Sequence, residues 1–294
     1  MNTKTLYLII AILTVAVVFL LNKSMQNKNE SPKAAGATVP QVGQEQVAGE
    51  CYMWTSLTVS ESKRLIAKGL MRYAPVAENL REGELIVTKG STNHYFYEEL
   101  MGKTIEKGSF LLGNIQPKGR KFEPQIEAFN DELYLKNGAQ QHLSLPKALE
   151  QMQEGALVFK GANLINYARK QATVLVGHPT GGTAGKILPY IQKGIAKLII
   201  PVGLEKNTSE DLEKLAEKFK EKRKDALRII SLPGELFTEI EAIQQFAKVE
   251  VLQIAAGGLN GAEGAVTLNI RGTEDEVAKV QALLSDIQGE KAFY

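Results

Sequence analysis

ELIVTKGSTN, residues 84–93, decides the fold of this chain, because a short hydrophobic run ends there in a polar glycine loop and a helical segment follows. The same order of strand, glycine loop and helix recurs along the sequence. The predicted strands are Glu84–Thr88, Ala156–Phe159, Thr173–Val176, Lys197–Ile200, Leu227–Ser231 and Val249–Ile254. Six such units predict an α/β domain with a Rossmann-like, largely parallel sheet and crossover helices.

Three other segments complete this prediction. A first helix is expected at Ser60–Tyr73, before the first strand. Residues 109–145 break the rhythm, with a short strand expected at Phe110–Gly113 and a hairpin turn at Asn137-Gly138. Near the C-terminus, two strands and a helix that begins at Thr273 predict a small β-β-α appendage.

Residues 1–23 are predicted to form a transmembrane anchor. The uncharged residues 5–22, between Lys4 and Lys23, would extend about 27 Å as a helix at ~1.5 Å per residue. That length spans a hydrocarbon core of ~30 Å once the two lysines reach the interface. A cleaved signal peptide is the alternative, although Leu21-Asn22-Lys23 is not a small-residue cleavage site. The lipid bilayer is therefore an expected partner.

A tether and one large domain follow the anchor. Residues 24–53 are rich in Asn, Gln, Lys, Ala and Gly, which is typical of a disordered tether, and residues 54–294 are predicted to form the α/β ligand-binding domain. Lysine counts slightly favour a cytoplasmic domain, whereas the very short N-terminal tail favours the outer face. The membrane side stays open, with the outer (extracytoplasmic) face preferred, and the sequence is compatible with a homo-oligomer.

Charge and composition exclude several classes of function. The chain has 35 basic and 33 acidic residues, a net charge of +2, so no nucleic acid partner is expected. Its one cysteine excludes a disulfide framework, and its three histidines are not spaced as metal ligands. Neither a Walker A loop nor a dinucleotide fingerprint is present, so no cofactor and no metal are predicted.

The glycine loops at the predicted strand ends form the candidate ligand site, because ligands bind at the carboxyl ends of strands in open parallel sheets. The loop GHPTGGTAG, residues 177–185, would present backbone N–H groups and hydroxyls to a small phosphate or carboxylate. A plain structural turn is the alternative. The predicted ligand-binding residues are Gly90, Ser91, Thr92, Asn93, Asn163, His178, Thr180, Gly181, Gly182, Thr183 and Lys186.

Four residues are candidates for catalysis. Lys160 ends a hydrophobic strand, where it would stabilise negative charge, the alternative being an edge lysine that reaches solvent. Glu235 follows Pro233-Gly234 at a predicted strand end, Glu239 begins a predicted helix, and Glu263 lies in the glycine loop 257–264. A carboxylate in such a position is suited to general acid–base catalysis.

At these loops the chain resembles a little-characterised protein family, over about residues 58–289 and most loosely at 109–145. The shared motifs are Gly-(Ser/Thr)-Thr-Asn, Lys-Gly-Ala-Asn, Gly-x-Pro-Thr-Gly-Gly-Thr, Pro-Val-Gly-Leu-Glu-Lys and Pro-Gly-Glu-x-x-Thr-Glu-Ile-Glu-Ala. More distantly, it resembles the superfamily of ribose phosphate isomerase, glucosamine phosphate deaminase and coenzyme A transferases. That resemblance implies a Rossmann-like sheet and a substrate phosphate held at Gly90-Ser91-Thr92.

The chain departs from the isomerases at one motif. Their Asp-Gly-Ala-Asp supplies the base, whereas this chain has Lys160-Gly161-Ala162-Asn163, without either acid. In the coenzyme A transferases a glutamate nucleophile lies in a glycine-bearing loop, a place that Glu263 or Glu235 would take here.

These observations favour an enzyme, isomerase-like or transferase-like, that acts on a phosphorylated or carboxylated small molecule. The alternative is a non-catalytic small-molecule sensor or binding module that uses the same loops.

Overall fold

A computed structural model describes residues 50–113, 115–116, 128–220 and 227–292. These residues belong to one of the two compact units into which the chain divides, Gln44–Tyr294. The predicted anchor, 1–23, and nearly all of the predicted tether lie outside the described residues. Within the described part of the chain, no helix is long and apolar enough to cross a membrane.

The described residues form strands, α-helices and one 3-10 turn, Leu204–Lys206. In chain order, the strands are β1 (Cys51–Leu57), β2 (Glu84–Val87), β3 (Leu133–Lys136), β4 (Ala139–Gln141), β5 (Ala156–Phe159), β6 (Leu164–Asn166), β7 (Gln171–Val176), β8 (Ala196–Pro201), β9 (Arg228–Ser231), β10 (Glu235–Phe237), β11 (Glu250–Ala256) and β12 (Val266–Gly272). The helices are α1 (Val59–Arg72), α2 (Ala74–Glu82), α3 (Ser91–Met101), α4 (Leu145–Gln151), α5 (Gly182–Gln192), α6 (Leu212–Lys218), α7 (Glu239–Gln244) and α8 (Glu274–Ile287).

The central sheet has six strands in the order β10-β8-β5-β2-β3-β4. Strands β10, β8, β5 and β2 run parallel, whereas β3 and β4 are antiparallel to their neighbours. Every residue of β2 and β5 is buried, as expected for parallel strands covered on both faces. The protein is therefore a mixed α/β protein with a mixed central sheet.

The prediction of a largely parallel sheet is only partly correct. Of the six predicted strands, β2, β5 and β8 lie in the central sheet, but β7 and β9 pair antiparallel in the separate sheet β6-β7-β9. Strand β11 belongs to a third, antiparallel sheet, β1-β12-β11. A short hydrophobic run predicts a strand but not the strand with which it pairs. Here β7 forms a local hairpin with β6, in the separate sheet.

Several local predictions are confirmed. Asn137 and Gly138 have φ angles of 47° and 75°, which suit a hairpin turn of type I′, and they join β3 to β4. The C-terminal β-β-α unit is present as β11, β12 and α8, with Thr273 as the helix cap. The strand expected at Phe110–Gly113 is not formed.

Strand β1 begins inside the segment predicted as a tether, 24–53. It pairs antiparallel with β12 from Cys51 to Leu57. Cys51 and Met53 are 5% and 3% exposed, so they belong to the core of the domain. The ordered domain therefore starts at least three residues earlier than the predicted residue 54.

Helix α1 packs tightly against its neighbours α3 and α7. A Cβ atom at Gly69 would lie 2.6 Å from the Cα of Ala242, a distance at which one helix would have to move. Glycine at this position lets α1 and α7 approach closely, so the first turn of α1 lies near the first residue of α7.

The parallel strands all end at the same edge of the central sheet, which we call the carboxyl edge. Helix α3 begins there, directly after β2. Helix α5 ends at Gln192, shortly before β8 starts at Ala196. The helix therefore runs antiparallel to β8, and its N-terminus lies on the same side of the sheet as the carboxyl edge. Helix N-termini and strand ends therefore meet on one side of the domain, the arrangement in which α/β sheets bind ligands.

Candidate functional site

Asn93 ties together the ends of the two central strands. Its Nδ2 donates to the carbonyl oxygens of Thr88, at 2.8 Å, and of Phe159, at 3.1 Å. The Thr88 hydroxyl also donates to the Phe159 carbonyl, at 2.8 Å. Asn93 is 1% exposed, and its Oδ1 has no hydrogen-bond partner among the described residues. A buried amide oxygen without a donor is costly, and a ligand hydroxyl or amine would satisfy it.

The N-terminus of α3 lies beside Asn93. The cap residue is Gly90, so no side chain accepts a hydrogen bond from the first turn. The first backbone N–H groups of a helix have no acceptor within the helix, and together with the helix dipole they favour an anion. Ser91 and Thr92, predicted to bind the ligand, occupy this first turn.

Lys160 follows β5 at the carboxyl edge. It is the next residue in the chain after Phe159, whose carbonyl oxygen accepts a hydrogen bond from Asn93. Its Nζ donates to the carbonyl oxygen of Gly161 at 3.1 Å. Desolvation lowers the pKa of the Lys160 ammonium to about 8; the charge of Glu132 opposes this effect, and that of Lys206 adds to it. Lys160 is half-buried, unlike an ordinary edge lysine, whose side chain is exposed.

Glu132 lies just before β3, and its carboxylate accepts a hydrogen bond from the backbone N–H of Lys89. The residue is 8% exposed. Burial raises its pKa, while the Lys89 N–H and the charges of Lys89, Lys160 and Lys186 oppose that rise. Glu132 thus interacts electrostatically with three lysines from separate segments of the chain, Lys89, Lys160 and Lys186.

Glu239 is the first residue of α7, directly after β10, and is 0% exposed. Its carboxylate accepts the backbone N–H of Leu204 at 3.0 and 3.3 Å. Desolvation, together with the charge of Glu205, raises the pKa of Glu239 to about 7. A carboxyl group with such a pKa can donate or accept a proton near neutral pH.

Gly203 separates the carboxyl groups of Glu205 and Glu239. A Cβ atom at Gly203 would collide with the Glu205 carboxylate and would lie 3.0 Å from Glu239 Oε1. Glycine is therefore needed for the two acids to approach each other. Glu205 Oε1 lies 3.6 Å from Lys206 Nζ, while its Oε2 is buried and has no hydrogen-bond partner among the described residues.

Lys63 approaches the same acids from the first turns of α1. It is 9% exposed, and desolvation followed by the charge of Lys206 lowers its pKa to about 8, against the opposing charge of Glu205. The charge of Lys206 acts on both Lys63 and Lys160. We call the residues Lys63, Glu132, Lys160, Glu205, Lys206 and Glu239 the strand-end cluster.

The glycine loop 177–185 lies on the same side but follows β7, a strand of the separate sheet. His178 and Thr180 are exposed and bond to each other, with Thr180 Oγ1 at 2.9 Å from His178 Nδ1. The φ angles of Gly181 and Gly182 are 83° and 56°, and a Cβ at Gly185 would collide with the Thr180 carbonyl. Backbone geometry thus accounts for these glycines. The charge of Lys186, near the start of α5, still acts on Glu132.

Other predicted site residues lie outside the cluster. Asn163 has a structural contact, since its Oδ1 accepts the Leu175 N–H at 2.9 Å. Glu235 is exposed at the start of β10 rather than at a carboxyl end, and it accepts the Tyr73 hydroxyl at 2.7 Å. Glu263 is exposed in the β11–β12 loop and accepts the Gly261 N–H. Of the four catalytic candidates, only Lys160 and Glu239 belong to the strand-end cluster, Lys160 through its interaction with Lys206 and Glu239 through its interaction with Glu205.

Sequence reasoning missed four members of the strand-end cluster: Lys63, Glu132, Glu205 and Lys206. Lys63 looks like an ordinary residue in a capped helix, and Glu132 lies in the irregular segment. Glu205 and Lys206 belong to the motif Pro-Val-Gly-Leu-Glu-Lys, whose position after a predicted strand was a usable signal.

Two surface clefts lie elsewhere. One, of about 410 Å³, is at the amino ends of β2 and β5 and is lined by residues such as Arg81 and Glu84. The other, of about 570 Å³, lies between α1 and α8 and includes Phe246. Neither includes a residue of the strand-end cluster. No group of three or more potential metal ligands occurs in the part of the chain that the structure describes.

Comparison of the chain with protein-family models, with curated proteins and with solved structures finds no match. The functional argument therefore depends on the site itself.

Proposed function

We propose that the carboxyl edge of the central sheet binds a small phosphorylated or carboxylated ligand and transfers a proton on it. The observation that supports this proposal is that Lys160, half-buried, and Glu239, fully buried, both lie beyond the ends of parallel strands, where desolvation moves their pKa values to about 8 and about 7. Ionisable groups displaced towards neutral pH by burial concentrate at functional sites, because ordinary folding does not favour them there.

The roles follow from position. The first-turn N–H groups of α3, at Ser91 and Thr92, would hold the anionic group, with Lys160 beside them to stabilise developing negative charge. The free Oδ1 of Asn93 would accept a hydrogen bond from a ligand hydroxyl. Glu239 would move the proton, with burial and then the charge of Glu205 holding its pKa near neutrality.

The finer fold assignment belongs to the same proposal. We infer a Rossmann-like arrangement distantly related to the superfamily of phosphosugar isomerases, deaminases and coenzyme A transferases. The strand β2, the loop Lys89-Gly90 and the N-terminus of α3 support this inference, because the superfamily holds its substrate phosphate at such a loop. Lys160 in place of an isomerase acid favours a different proton donor, here Glu239.

We further propose that residues 1–23 anchor the domain to a lipid bilayer, with residues 24–50 as the tether. The uncharged run between Lys4 and Lys23 supports this proposal. Cell fractionation tests it: the full chain should stay in the membrane pellet after a high-salt wash and dissolve with detergent. Release by salt alone would contradict a spanning anchor.

A ligand screen followed by isotope exchange tests the function. Phosphosugars, nucleotides, coenzyme A esters and dicarboxylates are compared by thermal shift on the full chain, since a ligand at ~100 times its Kd stabilises by about 2.7 kcal/mol. A ligand found in this way is then incubated in D2O and followed by proton NMR. We expect the protein to exchange a carbon-bound proton of the ligand for deuterium.

Glu239→Gln should slow this exchange by about 10²–10⁴-fold while leaving Kd within a few-fold, because the amide keeps its size but cannot carry the proton. Glu263→Gln, in the exposed loop, is the matched control and should leave both unchanged. Binding without any exchange would instead favour the sensor, and an absence of binding in the whole screen would overturn the proposed site.

A further inference from the structure

Lys160 differs from most other buried or half-buried lysines in the described residues by having no carboxylate within ion-pair distance. Lys107 pairs with Glu98 and Glu290, and Lys136 pairs with Glu84. Among the described residues, Lys160 Nζ instead donates a hydrogen bond to a single carbonyl oxygen, that of Gly161. An amine that is shielded from water and not held in an ion pair keeps its lone pair accessible when it loses its proton.

The surroundings of Lys160 favour its neutral amine, and the nearby start of α3 favours an anionic ligand group. Lys206 lies near enough to disfavour a second positive charge, and burial acts in the same direction. The N-terminus of α3, which attracts anions, is joined to Lys160 through the Phe159 carbonyl that Asn93 contacts. Lys160 thus follows directly on the strand end that Asn93 ties to the start of α3.

We propose that Lys160 condenses with an aldehyde or ketone carbonyl of the ligand to form an imine. The ligand class is thus a small carbonyl compound that carries a phosphate or a carboxylate. This inference rests on the proposed anion site and adds to it a covalent step.

The step balances without any oxidant or reductant. The Nζ lone pair attacks the carbonyl carbon, so that the C–N bond forms as the C=O π bond breaks, and one proton passes from Nζ to the carbonyl oxygen to give a carbinolamine. Loss of the hydroxyl as water then gives the imine, so that an amine and a carbonyl become an imine and one water. Glu132, whose charge opposes the desolvation of Lys160 and whose own pKa is raised by burial, would protonate the departing hydroxyl and then take up the remaining Nζ proton.

Reductive trapping tests the imine on the full chain. The protein is incubated with dihydroxyacetone phosphate or with pyruvate, treated with sodium borohydride, and analysed by intact mass and by peptide mapping. We expect one adduct per chain, on Lys160, with at least one of the two probes. Dihydroxyacetone, which lacks the anionic group, should label at least about tenfold less under the same conditions.

Variants assign the nitrogen. Lys160→Arg should abolish the adduct, whereas Lys197→Arg, at an exposed position on β8 outside the strand-end cluster, should keep it. Because peptide mapping of the unaltered protein locates the adduct directly, the result does not depend on how well a variant folds. Labelling should also rise with pH around 8, well below the range of exposed lysines near ~10.4.

The outcomes separate this inference from the proposed function. A phosphorylated or carboxylated probe that shifts the melting temperature but gives no adduct overturns the imine and leaves the anion site intact. An adduct on Lys63, or one spread evenly over exposed lysines, also overturns it. If none of the anionic compounds binds and none is trapped, both proposals fail.

Discussion

Glu239 illustrates how burial of a single side chain shifts its pKa. It begins α7, where a carboxylate would normally be solvated and stabilised by the helix N-terminus. Here the side chain has no exposed surface, and Glu205 adds a second negative charge nearby. The pKa therefore moves up to about 7, and the residue exchanges its proton in the range where enzymes operate.

Glu239→Gln should change how stability depends on pH. The folded pKa of about 7 exceeds the unfolded value near 4.5, so between these values the folded state binds more protons. The free energy of unfolding should therefore decrease as pH rises from 4.5 to 7. The glutamine stays neutral, so we expect the variant to match the parent at pH 4.5 and to exceed it by about 1–3 kcal/mol at pH 8.

Urea unfolding at intervals of half a pH unit measures this difference. Glu263→Gln is the control, because that exposed residue should leave the pH profile unchanged. Parallel profiles for Glu239→Gln and the parent would show that Glu239 is ionised in the folded protein throughout this range.

Helix α1 determines, at the scale of elements, whether the strand-end cluster can assemble. It carries Lys63 in its first turns and meets α7, which carries Glu239, through the close contact of Gly69 with Ala242. The helix is held in register by the Thr58 capping box, in which Glu61 accepts the Thr58 N–H at 2.8 Å. The cluster thus depends on the spacing between two helices far apart in sequence.

Gly69→Ala should separate α1 from α7. The new methyl group would lie 2.6 Å from Ala242 Cα, and relief requires backbone movement rather than a side-chain rotation. We expect a loss of about 1–3 kcal/mol in the free energy of unfolding, and a weaker affinity for any ligand of the strand-end cluster. Chemical denaturation and thermal shift measure the two effects.

Gly177→Ala is the matched control for this substitution. A Cβ at Gly177 would have open space around it, and its φ angle is not positive, so stability should stay within about 0.5 kcal/mol. Equal behaviour of the two variants would mean that α1 and α7 can separate without cost.

The whole domain is completed by strand β1, which adds an edge to the antiparallel sheet of β12 and β11. Cys51, Met53 and Leu57 are 5%, 3% and 3% exposed, and all seven residues of the strand pair with β12. The folded unit therefore includes this strand and does not begin at α1.

Two truncations test this limit. A protein of residues 44–294 should unfold cooperatively and bind the same ligands as the full chain, since it keeps β1 intact. A protein of residues 58–294 should lose more than about 4 kcal/mol of stability, because three buried apolar side chains contribute about 1.5–3 kcal/mol each. Circular dichroism melts measure both. Aggregation of residues 44–294 would indicate that residues 1–43 belong to the fold.

The sequence by itself determined the local elements of this protein. Hydrophobic runs located β2, β5 and β8, an Asn-Gly pair located the hairpin, and capping residues located α7 and α8. These features depend on neighbouring residues only, because strand and turn preferences are properties of a short segment. Lys160 and Glu239 were predicted as site residues from their places next to such segments.

Only the tertiary structure decided which segments meet. Strands β7 and β9 have the same hydrophobic character as β5, but they pair with each other, which leaves the glycine loop 177–185 outside the ends of the central strands. Glu235 has the same local surroundings in sequence as a strand-end acid, yet it is exposed. Burial of Lys63 and Glu239 depends on contacts among α1, α7 and the turn at Leu204–Lys206, which lie far apart in sequence. Because desolvation is the largest cause of their pKa shifts, their chemistry arises only once these elements pack together.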